Sequence, residues 1–320
     1  MKVPKIRARI LLFFKGTLSV VLITLVFRQI DFSLIYGTLV DVPVWAFVLG
    51  LLACLAQGLA LAWRWHRVVH WLGGSIGIVP AIRLTFIGLF FNQALPGSIG
   101  GDALRIWGAY RKGMASGLAV SSVAIERSTG LASLALLVTL ALSQIWWNME
   151  QSEVRWLLLA AAPSAALGLC LLSVSDYLPL TLLPSAIAHH VSIFANGLRR
   201  ILGNLVACTE VISLGALSSV LAISQAYLVG SQIGIELGFA AYICVLGGAV
   251  ILTVIPISLA GWGLREAAVV GLFGEMGVPS DKSLVVSLLF GLALTLSSLP
   301  GGVIWLVDGK VTRTSAPPAA

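Results

Sequence analysis

The sequence predicts an all-α integral membrane protein with about six full spans and two broken or re-entrant helix pairs, laid out as an inverted repeat. Three observations lead there. Hydrophobic residues make up 58% of the 320 and charged residues 10%, a composition that excludes a soluble globule. Two apolar stretches are interrupted by proline and glycine where a spanning helix should continue. One is Asn92–Arg105 (NQALPGSIGGDALR), with four Gly or Pro among its fourteen residues, and the other is Pro256–Glu266 (PISLAGWGLRE). Finally, lysine and arginine fall unevenly between the loops, as membrane orientation requires.

In chain order, Ile10–Phe27 follows Lys2, Lys5, Arg7 and Arg9, and is interrupted by Lys15. No small-residue cleavage site follows, so it reads as an uncleaved first span rather than a signal peptide. Val44–Trp63 is the second span, bracketed by Trp45 and Trp63 as interface anchors. Arg64, His66, Arg67 and Arg83 read as a basic loop. The apolar run Leu84–Phe91 is too short to cross, since a span needs about 20 residues. Leu84–Tyr110 therefore reads as a broken helix: one half in, a Pro-Gly turn, and a second half opening near Gly101-Asp102. Non-helical backbone at membrane depth must be buried in protein or line a watery cavity, and such breaks are where transporters bind substrate.

Ser128–Trp147 and Trp156–Val174 are the third and fourth spans. Asp176–Glu210 is a surface segment with a helix carrying Arg199 and Arg200, and Val211–Ser231 is the fifth span. Gly238–Ile255 leads into the second broken element, Ala267–Phe273 leads out, and Leu284–Val307 is the last span. One polytopic domain thus covers residues 1–310, with repeat one at about 10–147, repeat two at about 156–307, and a disordered cytoplasmic tail over 311–320. Cys54, Cys170, Cys208 and Cys244 lack metal-ligand spacing and read as reduced packing residues.

Placing both termini in the cytoplasm puts 15 of the 20 Lys and Arg inside and only Arg28, Arg155 and Lys282 outside, with Arg127 and Arg265 at membrane depth. That asymmetry orients the protein. It also makes the two broken elements enter from opposite sides, the plan of an inverted-repeat transporter. The net charge of +7 then belongs to this bias and to anionic headgroups rather than to nucleic acid.

Six ionisable residues fall where the bilayer should be: Asp102, Arg105, Glu126, Arg127, Arg265 and Glu266. Each costs about 2.5–3.5 kcal/mol at a helix centre unless paired or hydrated. Asp102 and Arg105, three apart, can pair on one helix face. Glu126-Arg127 and Arg265-Glu266 are adjacent, so their side chains are expected to diverge and to need partners elsewhere in the bundle. Arg127 or Arg265 with Asp102, and Glu126 with Arg105, are the expected pairs. Two readings stay open: ion pairs that fix the broken helices together, or arginines that hold an anion. Under the second, Gly100, Gly101, Gly261 and Gly263 would let a phosphate approach the half-helix N-termini. Arg105, Arg127 and Arg265 would then face one central cavity, with Asn92 lining it or bonding the broken backbone. No metal site and no cofactor is called for, and no constellation of nucleophile, base and electrophile is present, so the expectation is not an enzyme.

LPGSIGGDALR at Leu95–Arg105, AIERSTGL at Ala124–Leu131 and PISLAGWGLREAA at Pro256–Ala268, together with AWRWHRVV at Ala62–Val69, resemble the transmembrane region of lysylphosphatidylglycerol synthases. The resemblance runs in order along nearly the whole chain. It implies a lipid flippase-like role, moving a polar-headed lipid between leaflets of a bacterial inner (plasma) membrane. Relatives of this kind handle aminoacylated phosphatidylglycerol, hopanoid lipids and polyprenyl-linked sugars. The expected partner is accordingly an anionic phospholipid or a polyprenyl- or hopanoid-type lipid, and a homo-oligomer is compatible with the sequence. The competing expectations are an accessory scaffold of lipid or envelope biosynthesis, and a membrane-embedded enzyme acting on a headgroup.

Overall fold

The computed structural model describes residues 37–94, 99–145, 153–177, 185–253 and 263–314. These residues are helical and contain no strand. In the first half lie α1 (Val44–Trp71), α2 (Ile78–Ala94), α3 (Ile99–Arg111) and α4 (Ser116–Ile145). The second half holds α5 (Glu153–Ser173), a 3-10 turn (Ser175–Tyr177), α6 (Ser185–Leu202), α7 (Leu205–Gln232), α8 (Phe239–Thr253), α9 (Leu264–Gly274) and α10 (Ser280–Thr314). Five helices, α1, α4, α5, α7 and α10, are long and apolar enough to span a membrane. The expected first span at Ile10–Phe27 lies outside the described residues.

Helix α1 packs along α7 at the centre of the bundle. The two run antiparallel: Gly50 meets Gln225, Gly215 sits against Arg64, and Arg67 reaches Glu210. Around this pair the packing is reciprocal. Helix α2 packs on α3 and on α10, and α8 packs on α9 and on α4. Likewise α3 meets α4 as α9 meets α10, and α1 meets α10 as α7 meets α4. Helix α6 has no counterpart in the described part of the first half.

Both broken elements are helical hairpins. A Cβ on Gly101 would strike the carbonyl of Gly88, and one on Gly108 would strike Leu84, so α2 and α3 fold back along a glycine-lined seam. At α8–α9 the Tyr242 and Phe273 rings meet edge-on at 5.2 Å. The α2–α3 hairpin is open at the end where α1 finishes and α4 begins. The chain then crosses in α4, α5 and α7 before reaching α8, so the α8–α9 hairpin opens at the other end. Small residues let these helices approach closely, which is how helices associate in lipid. The Phe86 ring, for example, faces Gly58 of α1 while its carbonyl faces Gly301 of α10.

Several boundaries differ from expectation. Helix α2 begins at Ile78 rather than Leu84, with Pro80 in its first turn, where a missing N–H costs nothing. Helix α4 begins at Ser116, twelve residues before the expected third span, because Glu126 and Arg127 lie within the helix rather than before it. Helix α1 continues past Trp63 to Trp71, so Arg64 and Arg67 are helical and not in a basic loop. Helix α10 runs on to Thr314, so the first residues of the expected tail continue the helix. Residues 315–320 lie outside the described part.

Helix α6 buries Leu198 and Ile201 against Val68 of α1, Ile125 of α4 and Val211 of α7. Its Arg199 makes a two-pronged pair with Asp176, at 2.7 Å for each contact. Those hydrogen bonds hold the Asp176 carboxyl below the usual carboxylate range. The expected surface helix is therefore docked on the bundle by its apolar face. All four cysteines are free; Cys54 and Cys244 are buried as expected, whereas Cys170 is exposed on α5.

Candidate functional site

The ionisable residues around the first hairpin converge on two carboxylates. Glu126, buried in α4, accepts from Arg64 Nε at 3.1 Å and from Arg64 Nη2, and its other oxygen accepts from Arg105 Nη1 at 3.1 Å. Asp102, in the first turn of α3, takes a two-pronged contact from Arg127, with Nε at 2.9 Å and Nη2 at 2.8 Å. Arg105 Nη1 lies 3.5 Å from the same Asp102. Three guanidiniums thus face two carboxylates, which leaves one positive charge in surplus.

Glycines make room for these arginines. Cβ atoms on Gly130 and Gly215 would fall on the Arg64 guanidinium, and one on Gly88 would fall on the Arg105 methylenes. The Arg105 guanidinium also lies over the Trp65 ring at 4.6 Å, and Trp65 Nε1 donates to Ser122 Oγ at 3.1 Å. An aromatic face beneath a desolvated cation is worth about 2 kcal/mol or more. Helix α1 therefore contributes both a cation and its support to a site built on α3 and α4.

Arg105 is not saturated. Its Nε and Nη2 are buried without a hydrogen-bond partner, as is the Thr85 hydroxyl. Arg105 and Thr85 border a cavity of about 20 Å³ shared with Gly88, Asn92, Glu126 and Arg127, room for about one water. Only Arg127 is open, its side chain 48% exposed against 5% for Arg105.

The second hairpin is different. Arg265 Nε donates to Glu266 Oε1 at 3.0 Å, and Glu266 Oε2 accepts from the Gly263 N–H at 2.6 Å. Gly291 makes room for this guanidinium, and the Phe290 ring lies 5.9 Å away. The expectation that adjacent Arg265 and Glu266 would diverge is wrong. Glu266 folds back to cap its own helix, as a glutamate at the third position often does, and that brings its carboxylate within reach of the long arginine.

Of the expected pairs, Asp102–Arg105, Arg127–Asp102 and Glu126–Arg105 form, and Arg265–Asp102 does not. Arg265 is not among the residues bordering the cavity with Arg105 and Arg127, so the expected common cavity of three arginines is replaced by two separate clusters. The half-helix amides are also spoken for. Gly101 N–H donates to Asn92 Oδ1 at 2.9 Å and Gly263 N–H to Glu266. Asn92 both lines the cavity and bonds the broken backbone. Gly100 is half-buried beside the seam, and Gly261 lies outside the described residues. Sequence reasoning missed Arg64 and Trp65, which followed a tryptophan taken for an interface anchor. Their signal was the Arg-Trp run itself, within one helical turn of residues that stay apolar.

These features define a class: a multi-pass α-helical membrane protein with two opposed helical hairpins and a buried, cation-rich cluster at one of them. Within that class, the family model of the lysylphosphatidylglycerol synthase TM region matches residues 11–301, and the chain belongs to that family. No curated protein matches the chain.

Proposed function

We propose that this protein is a lipid flippase-like transporter that moves a polar-headed, anionic lipid between the leaflets of the bacterial inner membrane, with both termini cytoplasmic. The observation that carries the reading is Arg105, a member of a cluster with one positive charge in surplus, whose Nε and Nη2 are buried without a hydrogen-bond partner beside a cavity inside the bundle. Buried arginines are normally fully paired, and a guanidinium with two free donors suits a phosphate. Arg127 is the open gatepost of the cluster, joined to Asp102. A headgroup phosphate draws Arg127 from Asp102 and then meets Arg105. The present cavity admits one water-sized group, so the phosphate enters when the α2–α3 hairpin separates from α4. No catalytic step is required of the protein.

The test is leaflet-resolved lipid movement in vesicles containing Arg105→Lys or Arg127→Lys protein at matched amounts, with thermal stability as control. Each variant keeps its charge but loses the fork, so movement should fall about tenfold or more for a lost two-pronged contact while folding persists. Parental rates in both variants would leave the cluster structural and favour an accessory scaffold role.

A further inference from the structure

A second cavity, of about 320 Å³, lies between α4 and α5 and is bordered also by Ile251 of α8. We propose that it is a subsite for one hydrocarbon chain of the lipid whose headgroup the Arg105–Arg127 cluster receives. The proposal rests on that reading of the cluster and adds to it that the protein grips a tail instead of leaving both tails to the bilayer.

The shape is that of a chain. Ser128, Leu131 and Ala135 line it from α4, spaced to share one helix face. Ala161, Ala165, Gly168 and Leu172 line it from α5, a stripe that spans about 16 Å along the axis. That is close to half of a hydrocarbon core of about 30 Å.

The chemistry is that of hydrocarbon. Ser128 and Ser164 supply the hydroxyls of the lining, and both are spent on their own helices: Ser128 Oγ donates to the Ala124 carbonyl at 2.9 Å, and Ser164 Oγ to the Ala160 carbonyl at 2.7 Å. Neither has its O–H left to donate to a polar ligand. One turn beyond Ala135, Thr139 ties α4 to α5. Its hydroxyl donates to the Leu158 carbonyl and accepts from the Ala162 N–H, each at 3.3 Å, bridging the turn that Pro163 opens in α5.

Placement ties the groove to the headgroup cluster. Thr139 meets Leu158 and Ala162 at one level while Ile125 and Leu169 share a cluster at another, so α4 and α5 run antiparallel and Ser128 lies level with Leu172 at the groove's far end. Ser128 follows Arg127, the exposed cation paired with Asp102. A phosphate at Arg127 therefore has one chain directed into the groove.

The test uses the full chain in vesicles with phosphatidylglycerol carrying a photoreactive diazirine in mid-chain, mapping cross-links by mass spectrometry. Gly168→Phe fills the groove, and because a Cβ at Gly168 meets nothing within 4 Å, folding should be unaffected. The expected result is labelling of Ala161–Leu172 that falls about tenfold in Gly168→Phe, equivalent to withdrawing about two methylenes from contact. Labelling spread over the apolar surface and unchanged by Gly168→Phe overturns the subsite, whatever Arg127→Lys does to lipid movement. A cross-link from the groove to another stretch of protein overturns it as well. A diacylglycerol probe, with chains but no phosphate, separates the two readings. If it labels the groove as strongly as phosphatidylglycerol does, the chain site stands and the headgroup reading fails.

Discussion

Glu126 shows how little slack the cluster has. It is 2% exposed and holds two arginines that are themselves about 95% buried. Removing one partner of a buried pair costs about 3–5 kcal/mol, because the other charge is left uncompensated. Glu126→Gln strands two guanidiniums, whereas Arg64→Met leaves Glu126 still paired with Arg105. The expected outcome is that Glu126→Gln lowers thermal stability in detergent by more than Arg64→Met does. Equal losses would mean that Arg64 and Arg105 do not share Glu126. At this scale the sequence was partly legible. Asp102, Arg105, Glu126 and Arg127 stood out as charges in apolar surroundings; the Asp102–Arg105 pair followed from spacing, and the other pairs from the need of diverging neighbours for partners elsewhere. Arg64 did not, because a cation after a tryptophan reads as the end of a span. Its depth becomes visible only when Gly130 and Gly215, distant in sequence, are seen to vacate space for it.

The hairpins were legible as elements because Pro96-Gly97 and Pro256 interrupt apolar runs in which nothing else would stop a helix. The role of their glycines was not. Gly101 was expected to admit a headgroup to the backbone, but its missing side chain is occupied by Gly88 and Asn92 of the facing helix. Gly101 is therefore a packing residue of the α2–α3 seam. Gly101→Ala should then destabilise the fold, by about 1–3 kcal/mol for forced overpacking. Gly271→Ala in α9 is the matched control, since its Cβ would meet nothing within 4 Å. It should be neutral or stabilising by about 0.5–1 kcal/mol, from helix propensity alone. Unfolding temperatures of the two variants decide the matter. If Gly101→Ala leaves stability unchanged yet blocks lipid movement, the seam is looser than it looks and the ligand-approach role returns.

At the scale of the whole molecule, the reciprocal packing and the charge distribution are independent lines that should agree. Packing places the mouth of the α2–α3 hairpin and the mouth of the α8–α9 hairpin at opposite ends of the bundle. The helix ends and turns at the first end carry Arg83, Arg111, Lys112, Arg199 and Arg200, whereas the second end carries Arg155 and Lys282 beside Glu153, Glu236, Glu275 and Asp281. Cytoplasmic loops gather lysine and arginine, so the first end is expected to face the cytoplasm. Lys112, at the first mouth, and Glu275, at the second, are both exposed, which makes them suitable labelling sites once the four native cysteines are replaced. In intact cells, Glu275→Cys should react with a membrane-impermeant thiol reagent, and Lys112→Cys should react only after permeabilisation. The reverse pattern would keep the inverted arrangement and turn the molecule over, so the charge argument alone would fall. Reaction of both from outside would put the two hairpin mouths on one face. The opposed hairpins could not then serve as gates to opposite leaflets, and the transport reading would lose its geometric basis.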